Sequence, residues 1–390
     1  MKTLIELYDE RPLENVLSGI IFRPERVVFI AQKLSDKDKA DLRSYFAHRG
    51  LHPELVFLSA DPYSSQDVYN VLRSAVEKYP DCALDIAGGT DNALFAAGRI
   101  SAEKDLPVFT YSRRQNRFYS ISNAPFAQKL ECNLSFTVED FFLMAGGSMR
   151  QGRVDNSVLE KYLPWVDGFF ELYMRFTREW GSIVTYFQRA SQQPKDQPIS
   201  LEVNADYSVK GDHGRRINAN ERALREFEKL GFISDLSIES GKTVSFRFMD
   251  SQVRTWLRDV GSVLELYTYK LCVDQGIFND VHTSVVVDWE SNVRRDSVTN
   301  EIDVMCVRGI TPMFISCKTC EVDTQALNEL AILRDRFGGQ GAKAAIVTTK
   351  RSAAVTRNRA AELGITVIDQ DDLKSRSAGS RLKALALRLD

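Results

Sequence analysis

The chain reads as an α/β protein in three parts, residues 1–150, 151–250 and 251–390, and three observations carry that reading. Short apolar runs alternate with helical stretches between residues 26 and 111, a pattern that predicts a parallel, doubly wound sheet. A second α/β pattern fills residues 251–390, with two apolar strands flanking a turn that contains Gly309 and Pro312. Between the two lies a stretch dense in aromatic residues, followed by a polar segment with two prolines.

In the first part, residues 26–31 form a strand, 36–49 a helix, 55–58 a strand and 66–79 a helix. Residues 82–87 then run into Gly88-Gly89-Thr90-Asp91-Asn92, a helix follows through Ile100, and 108–111 is a further strand. Ligands of such sheets collect at the carboxyl ends of the strands. Two loops lie there: Gln32-Lys33 after the strand 26–31, and the Gly-Gly-Thr turn. Glycines let backbone amides approach a phosphate, and the following helix offers its positive end. The same residues also fit a plain tight turn with Thr90 or Asp91 as the helix cap. There is no complete G-x-G-x-x-G, which argues against a nicotinamide cofactor.

In the second part, Trp165, Phe169, Phe170, Tyr173, Phe176, Trp180, Tyr186 and Phe187 recur at partly helical spacing, which predicts packing rather than base stacking. Residues 191–198 read as a surface linker. A helix from 220 to 229, then strands 236–239 and 244–248 around Ser240-Gly241-Lys242, predict a small winged-helix-like element that connects the outer parts.

The third part opens on a helix carrying Glu265 in an otherwise apolar setting, followed by a strand at 282–289. Strands 302–307 and 313–318 then form a hairpin. Centred near Ile310, it places Asp303 opposite Lys318, with Ser316 on the same face and Ile315 and Cys317 on the other. Carboxylates are hard ligands for magnesium or manganese, and an ammonium beside them stabilises charge on a phosphate, so Glu265, Asp303 and Lys318 fit phosphodiester hydrolysis. An ordinary cross-strand Asp/Lys pair is the alternative for the last two. Downstream, 324–337 and 353–363 read as helices, 344–348 and 366–369 as strands.

This order of a helix with Glu, a strand with Asp and a strand ending in x-x-Lys resembles the PD-(D/E)XK nuclease superfamily over roughly residues 251–390. The superfamily usually carries Asp or Glu two residues before the lysine, and Ser316 stands there. The resemblance therefore requires another carboxylate, for which Glu301, Glu321 and Glu329 are candidates; Glu301 shares a strand face with Asp303. With the first part included, the chain resembles the ancillary nucleases of type III CRISPR systems, in which a Rossmann-like CARF sensor precedes such a nuclease. That resemblance implies a homodimer that binds cyclic tetra-adenylate as activator and cuts DNA or RNA. It assigns the ligand to Gln32, Lys33, Gly88, Gly89, Thr90 and Asn92, the metal to Glu265, Asp303 and Glu301, and catalysis to Glu265, Asp303, Ser316 and Lys318. A constitutive repair or restriction-type nuclease and a non-catalytic DNA-binding regulator are the alternatives.

Composition sets the remaining bounds. A net charge of −2 excludes a global basic field, so nucleic acid would have to meet local patches such as Arg113-Arg114, Arg215-Arg216, Arg294-Arg295 or Lys350-Arg351. Six cysteines without a secreted disulfide pattern, and no signal peptide or long apolar span, place the protein in a reducing cytoplasm with no membrane contact. Cys317-x-x-Cys320 lacks a second pair, and His48, His52, His213 and His282 show no metal-ligand spacing.

Overall fold

A computed structural model describes residues 1–152, 154–194, 198–211, 214–290, 299–339 and 341–388. Arg294-Arg295 and His213 lie outside the described residues.

The first sheet contains β1 (Thr3–Leu7), β2 (Arg26–Ala31), β3 (Glu54–Ser59), β4 (Cys82–Asp85), β5 (Val108–Ser112) and β6 (Arg117–Ser122), in the order β3-β2-β1-β4-β5-β6. The first five are parallel, and β6 is antiparallel to β5. The strand 26–31 is thus the second of the chain, not the first. β1 precedes it and occupies the centre, every residue buried. Its neighbours β2 and β4 lie on opposite sides, which makes the gap between β1 and β4 the point where the winding reverses. Helices Asp36–His48, Ser65–Lys78 and Asp91–Lys104 start at side-chain caps on Ser35, Ser64 and Thr90, each accepting a backbone N–H three residues on.

β7 (Ser148–Gln151) leaves this sheet's surroundings and joins the other end of the molecule. The connector holds helices Leu163–Arg175 and Trp180–Ala190, β8 (Glu202–Asp206), a small pair of β9 (Ser208–Lys210) and β10 (Arg216–Asn218), helix Glu221–Leu230, β11 (Ile233–Glu239) and β12 (Thr243–Phe248). The strands β11, β12 and β8 form a three-stranded antiparallel sheet. Phe169, Phe170, Tyr173, Phe176, Trp180, Tyr186 and Phe187 are all buried in its core, as packing predicts.

The last sheet has the order β17-β16-β15-β14-β13-β7, with β13 (Asp280–Asp288), β14 (Thr299–Arg308), β15 (Thr311–Lys318), β16 (Lys343–Thr348) and β17 (Ile365–Ile368). β15, β16 and β17 are parallel and the rest antiparallel. One face packs Val304, Cys306, Met313, Ile315 and Cys317 under helix Ser262–Asp274 and the connector. Phe170 stacks on Tyr267 at a centroid distance of 3.8 Å. The other face packs Met305, Val307, Phe314 and Ile346 against helix Thr324–Leu333 and against Phe136, Phe141 and Phe142 of the first part. The helix expected to run to residue 337 gives way to a wider π turn at Arg334–Gly338.

The hairpin register differs from the one centred on Ile310. Val304 pairs with Ile315 and Arg308 with Thr311, so the turn is Gly309-Ile310 with Gly309 at φ 60°, and Asp303 comes opposite Ser316 rather than Lys318. The slip is two residues, an even number, and each side chain keeps its face. Gly309 also clamps the first part to this sheet: its carbonyl accepts the N–H of Phe136 at 2.8 Å, while its own N–H donates to Asn279 Oδ1 at 2.7 Å.

Candidate active site and ligand cleft

Asp303 sits where the β14–β15 ladder ends. The last paired residues are Val304 and Ile315; beyond them the Asp303 carboxylate takes the place of a strand partner. Its Oδ2 accepts the Cys317 N–H at 2.6 Å and the Ser316 hydroxyl at 3.1 Å. Across on β13, Ser284 adopts a left-handed φ of 53°, and the Thr283 hydroxyl donates to the Asp303 carbonyl at 2.7 Å. The sheet is therefore bent at the point where the carboxylate projects.

Burial pushes the Asp303 carboxyl above the usual carboxylate range; the Cys317 N–H, the Lys318 ammonium and the Ser316 hydroxyl oppose that shift, and Glu301 adds to it. Lys318 is thus near enough for its charge to act on Asp303, although it is not the cross-strand partner. Of the three candidate carboxylates, Glu301 acts on Asp303 and accepts the Ser284 hydroxyl at 2.7 Å. Glu321 and Glu329 are exposed, and Glu329 accepts from Gln325 of its own helix at 2.8 Å.

Glu265 lies in the first turn of helix Ser262–Asp274, whose start is held by Asp259 accepting the N–H groups of Gly261 and Ser262. The Cys317 thiol is pushed well up, chiefly by burial and then by Asp303 and Glu265, so the two carboxylates approach one cysteine from different elements. That thiol donates to Thr268 at 3.5 Å on the same helix, which ties Cys317 to packing. Among the described residues, no group of three or more His, Cys, Asp or Glu side chains gathers as a metal site.

In the first sheet, the carboxyl ends of β1, β2, β3 and β4 surround a cleft of about 40 Å³. Gln32, Gly89 and Thr90 line it with Leu7, Tyr8 and Pro62. Lys33, Gly88 and Asn92 are adjacent in the chain and are not among its walls. A Cβ on Gly88 would lie 2.8 Å from the Leu7 carbonyl oxygen and 2.9 Å from Asp9 Cβ, and Gly89 holds φ 94°. Both glycines are thus demanded by the close approach of β4's turn to the end of β1. Thr90 caps its helix and donates to the Pro62 carbonyl at 2.9 Å; Asn92 donates to the Tyr63 carbonyl at 3.3 Å. Asp9, which the sequence pattern does not single out, accepts the Gly89 N–H at 3.1 Å and pairs with Arg11. Its place depends on β1, a strand that the sequence pattern does not reveal.

Residues 252–378 match the Card1-like endonuclease domain. The matched span contains Glu265, Asp303, Ser316 and Lys318. The crystal structure of protein VC1899 from Vibrio cholerae shares the fold at a TM-score of 0.74 and 18% identity, over 98% of this chain and 97% of that one. Can2 from Sulfobacillus thermosulfidooxidans, solved in complex with cyclic tetra-adenylate, shares it at a TM-score of 0.71 and 18% identity, over 99% of both chains. No curated protein sequence matches the chain. The Card1-like domain accordingly takes its β7 edge strand from outside the matched residues, and no helix among the described residues is long and apolar enough to cross a membrane.

Proposed function

We propose that the protein is a metal-dependent nuclease switched on by a cyclic oligoadenylate, cyclic tetra-adenylate in the first instance, and acting in type III CRISPR defence. The observation that carries the nuclease half is the desolvated Asp303 carboxylate, with Ser316, Cys317 and Lys318 around it, inside a Card1-like endonuclease domain. A bound cation would relieve the cost of a charged, desolvated carboxylate, and the donors at hand are all hard oxygens. Asp303, with Glu301 as the carboxylate that acts on it, would hold magnesium or manganese, which supplies Lewis acidity and an acidified water; Glu265, which does not gather with them into a three-carboxylate site, would have to close in to serve as a third ligand. Ser316 keeps the Asp303 carboxylate aimed, and Lys318 places positive charge where the phosphate gains negative charge.

Support for the sensor half is the cleft at the reversal point of a parallel sheet, together with a fold shared with a protein solved with cyclic tetra-adenylate. The cleft is far too small to enclose such a ring. A second copy would complete it: Tyr63, next in the chain to the cleft-lining Pro62, and Phe95, two residues on from the cleft-lining Ala93, stand 79% and 70% exposed and fit an apolar contact between copies. Gln32, Lys33 and the Gly88 to Asn92 turn would then meet the ring from each protomer.

The test is cleavage of labelled single-stranded DNA, RNA and supercoiled plasmid with manganese, with and without cyclic tetra-adenylate. Cutting only with the ring supports both halves. Cutting without it leaves a constitutive nuclease, and no cutting in either condition makes Ser316 the mark of a non-catalytic domain.

A further inference from the structure

A cavity of about 760 Å³ opens between the first part and the nuclease domain, lined by Arg113, Arg114, Arg117, Arg308, Lys343 and Arg388. A second, of about 550 Å³, shares Lys343 and Arg388 with it and continues to Arg334, Arg357 and Arg381. Among the described residues no Asp or Glu lines either cavity. Several of these cations have acid partners, namely Glu131 for Arg117, Asp335 for Arg334, Asp369 for Arg357 and Asp372 for Arg381, but those acids stand outside the lining. Arg113 keeps 20% of its side-chain surface, its Nε makes no hydrogen bond, and its nearest acid, Glu14, is 3.6 Å away. Its Nη1 lies 3.4 Å from where a Cβ of Gly341 would stand, so a cation of the first part reaches into the nuclease domain. Arg114 and Arg308 are exposed and form no ion pair among the described residues.

The charge is concentrated on a protein whose net charge is −2, so this is a local feature and not part of a general basic surface. It also lies apart from Asp303. The cleft meets the Gly309 turn, at the start of β15, whereas Ser316 is five residues further on, roughly 17 Å along the strand. Two cavities joined end to end suit an extended anionic chain better than a compact ring.

We infer that this cleft is a second phosphodiester-binding site, which holds the backbone of a nucleic acid strand at a distance from the bond being cut. The identity of that strand as substrate rests on the nuclease reading; the binding itself does not.

The experiment uses the full chain with Arg114→Glu and Arg308→Glu together, in EDTA so that nothing is cut. Fluorescence anisotropy is measured over a salt series with a labelled single strand long enough to span both sites, with a short one, and with labelled cyclic tetra-adenylate. The long strand should bind about tenfold or more weakly to the variant, with a salt slope flatter by about one for each phosphate the variant no longer neutralises. The short strand and the ring should bind as to wild type, and Arg114→Lys with Arg308→Lys should restore the long strand. Unchanged affinity for the long strand overturns the inference, as does a loss confined to the ring, which would make the cleft an activator site. Wild type that cuts in the separate manganese cleavage assay, while the variant binds normally here, removes this site alone. Wild type that cuts nothing in the manganese assay, with the variant still losing the long strand in EDTA, removes the nuclease reading and leaves the site standing.

Discussion

Asp303 and Ser316 stand opposite each other across β14 and β15, and the serine hydroxyl donates to the aspartate at 3.1 Å where the superfamily resemblance leads one to expect a second carboxylate. The site therefore depends on one desolvated acid. Asp303→Ala should reduce cleavage to background while cyclic tetra-adenylate binding, measured by calorimetry, stays at the wild-type value. Cutting at the wild-type rate would remove the nuclease assignment.

Replacing the hydroxyl by a carboxylate tests what the serine costs. Ser316→Asp puts two acids face to face, which raises their joint proton affinity without metal and strengthens their hold on a divalent ion. Magnesium titrations of cleavage should show half-maximal activity at a lower concentration than in wild type. Ser316→Ala should lose only the hydrogen bond, on the order of 1–3 kcal/mol for a buried charged acceptor.

The ligand cleft and the glycines next to it separate by stability. Gln32 and Lys33 are exposed, so Gln32→Ala with Lys33→Ala should weaken binding of the ring and leave the melting temperature unchanged. Gly88→Ala should weaken ring binding and also lower the melting temperature, because its Cβ meets the Leu7 carbonyl oxygen, at a cost of roughly 1–3 kcal/mol. Calorimetric scans beside ring-binding isotherms distinguish the two variants.

Asp85 makes stability depend on pH. Burial pushes its carboxyl up to about 7, against the Ser18 hydroxyl and the Ala87 N–H, with Glu14 adding to the rise. The unfolded chain releases that proton near pH 4. Between the two values the folded protein holds a proton that the unfolded one has lost, so stability is fullest below about pH 4 for this group and falls as pH rises to about 7. At about 1.4 kcal/mol per unit, the loss is on the order of 4 kcal/mol. Glu6, paired in register with Asp85 and likewise pushed well up by burial and by Asp85, acts in the same sense. Melting temperatures of Asp85→Asn should decline less with pH than wild type and exceed it at pH about 8.

Phe95 provides the test of the second copy. Phe95→Glu places charge on a surface 70% exposed in the single chain, so it should leave melting nearly unchanged while sedimentation shows a monomer and ring binding weakens. A dimer that persists with full ring affinity would move the contact elsewhere.

Much of this architecture was legible because its elements follow simple periodicities. The apolar runs of β2 and β4 are buried, and that of β3, at the sheet edge, is half-buried with exposed ends. β1 was not legible: five residues with Glu6 at the fourth position look half-exposed, and only a sheet neighbour on each side buries that acid. β7 carries no pattern at all, since Ser148, Met149 and Arg150 owe their extended form to β13. The hairpin register turned on which two residues occupy the turn, and Gly309 in the left-handed region decided it. Glu301 acts on Asp303, but strand parity does not carry that placement, because Ile302 and Val304 turn into different cores on either side of Asp303; nor could the role of the Cys317 N–H be read, because it arises where the ladder stops.

β7 precedes the whole connector yet lies along the outer edge of the last sheet, where Arg150 grips the buried Asp288 through two hydrogen bonds of 2.7 and 3.0 Å. A fragment starting at residue 252 would leave Val285 to Asp288 with a bare row of amides and carbonyls, the kind of edge on which chains stack into aggregates. Residues 252–378 are consequently a poor unit to excise or to graft onto another protein. Engineered exchange of the first part would have to keep residues 148–151 with the sheet they complete.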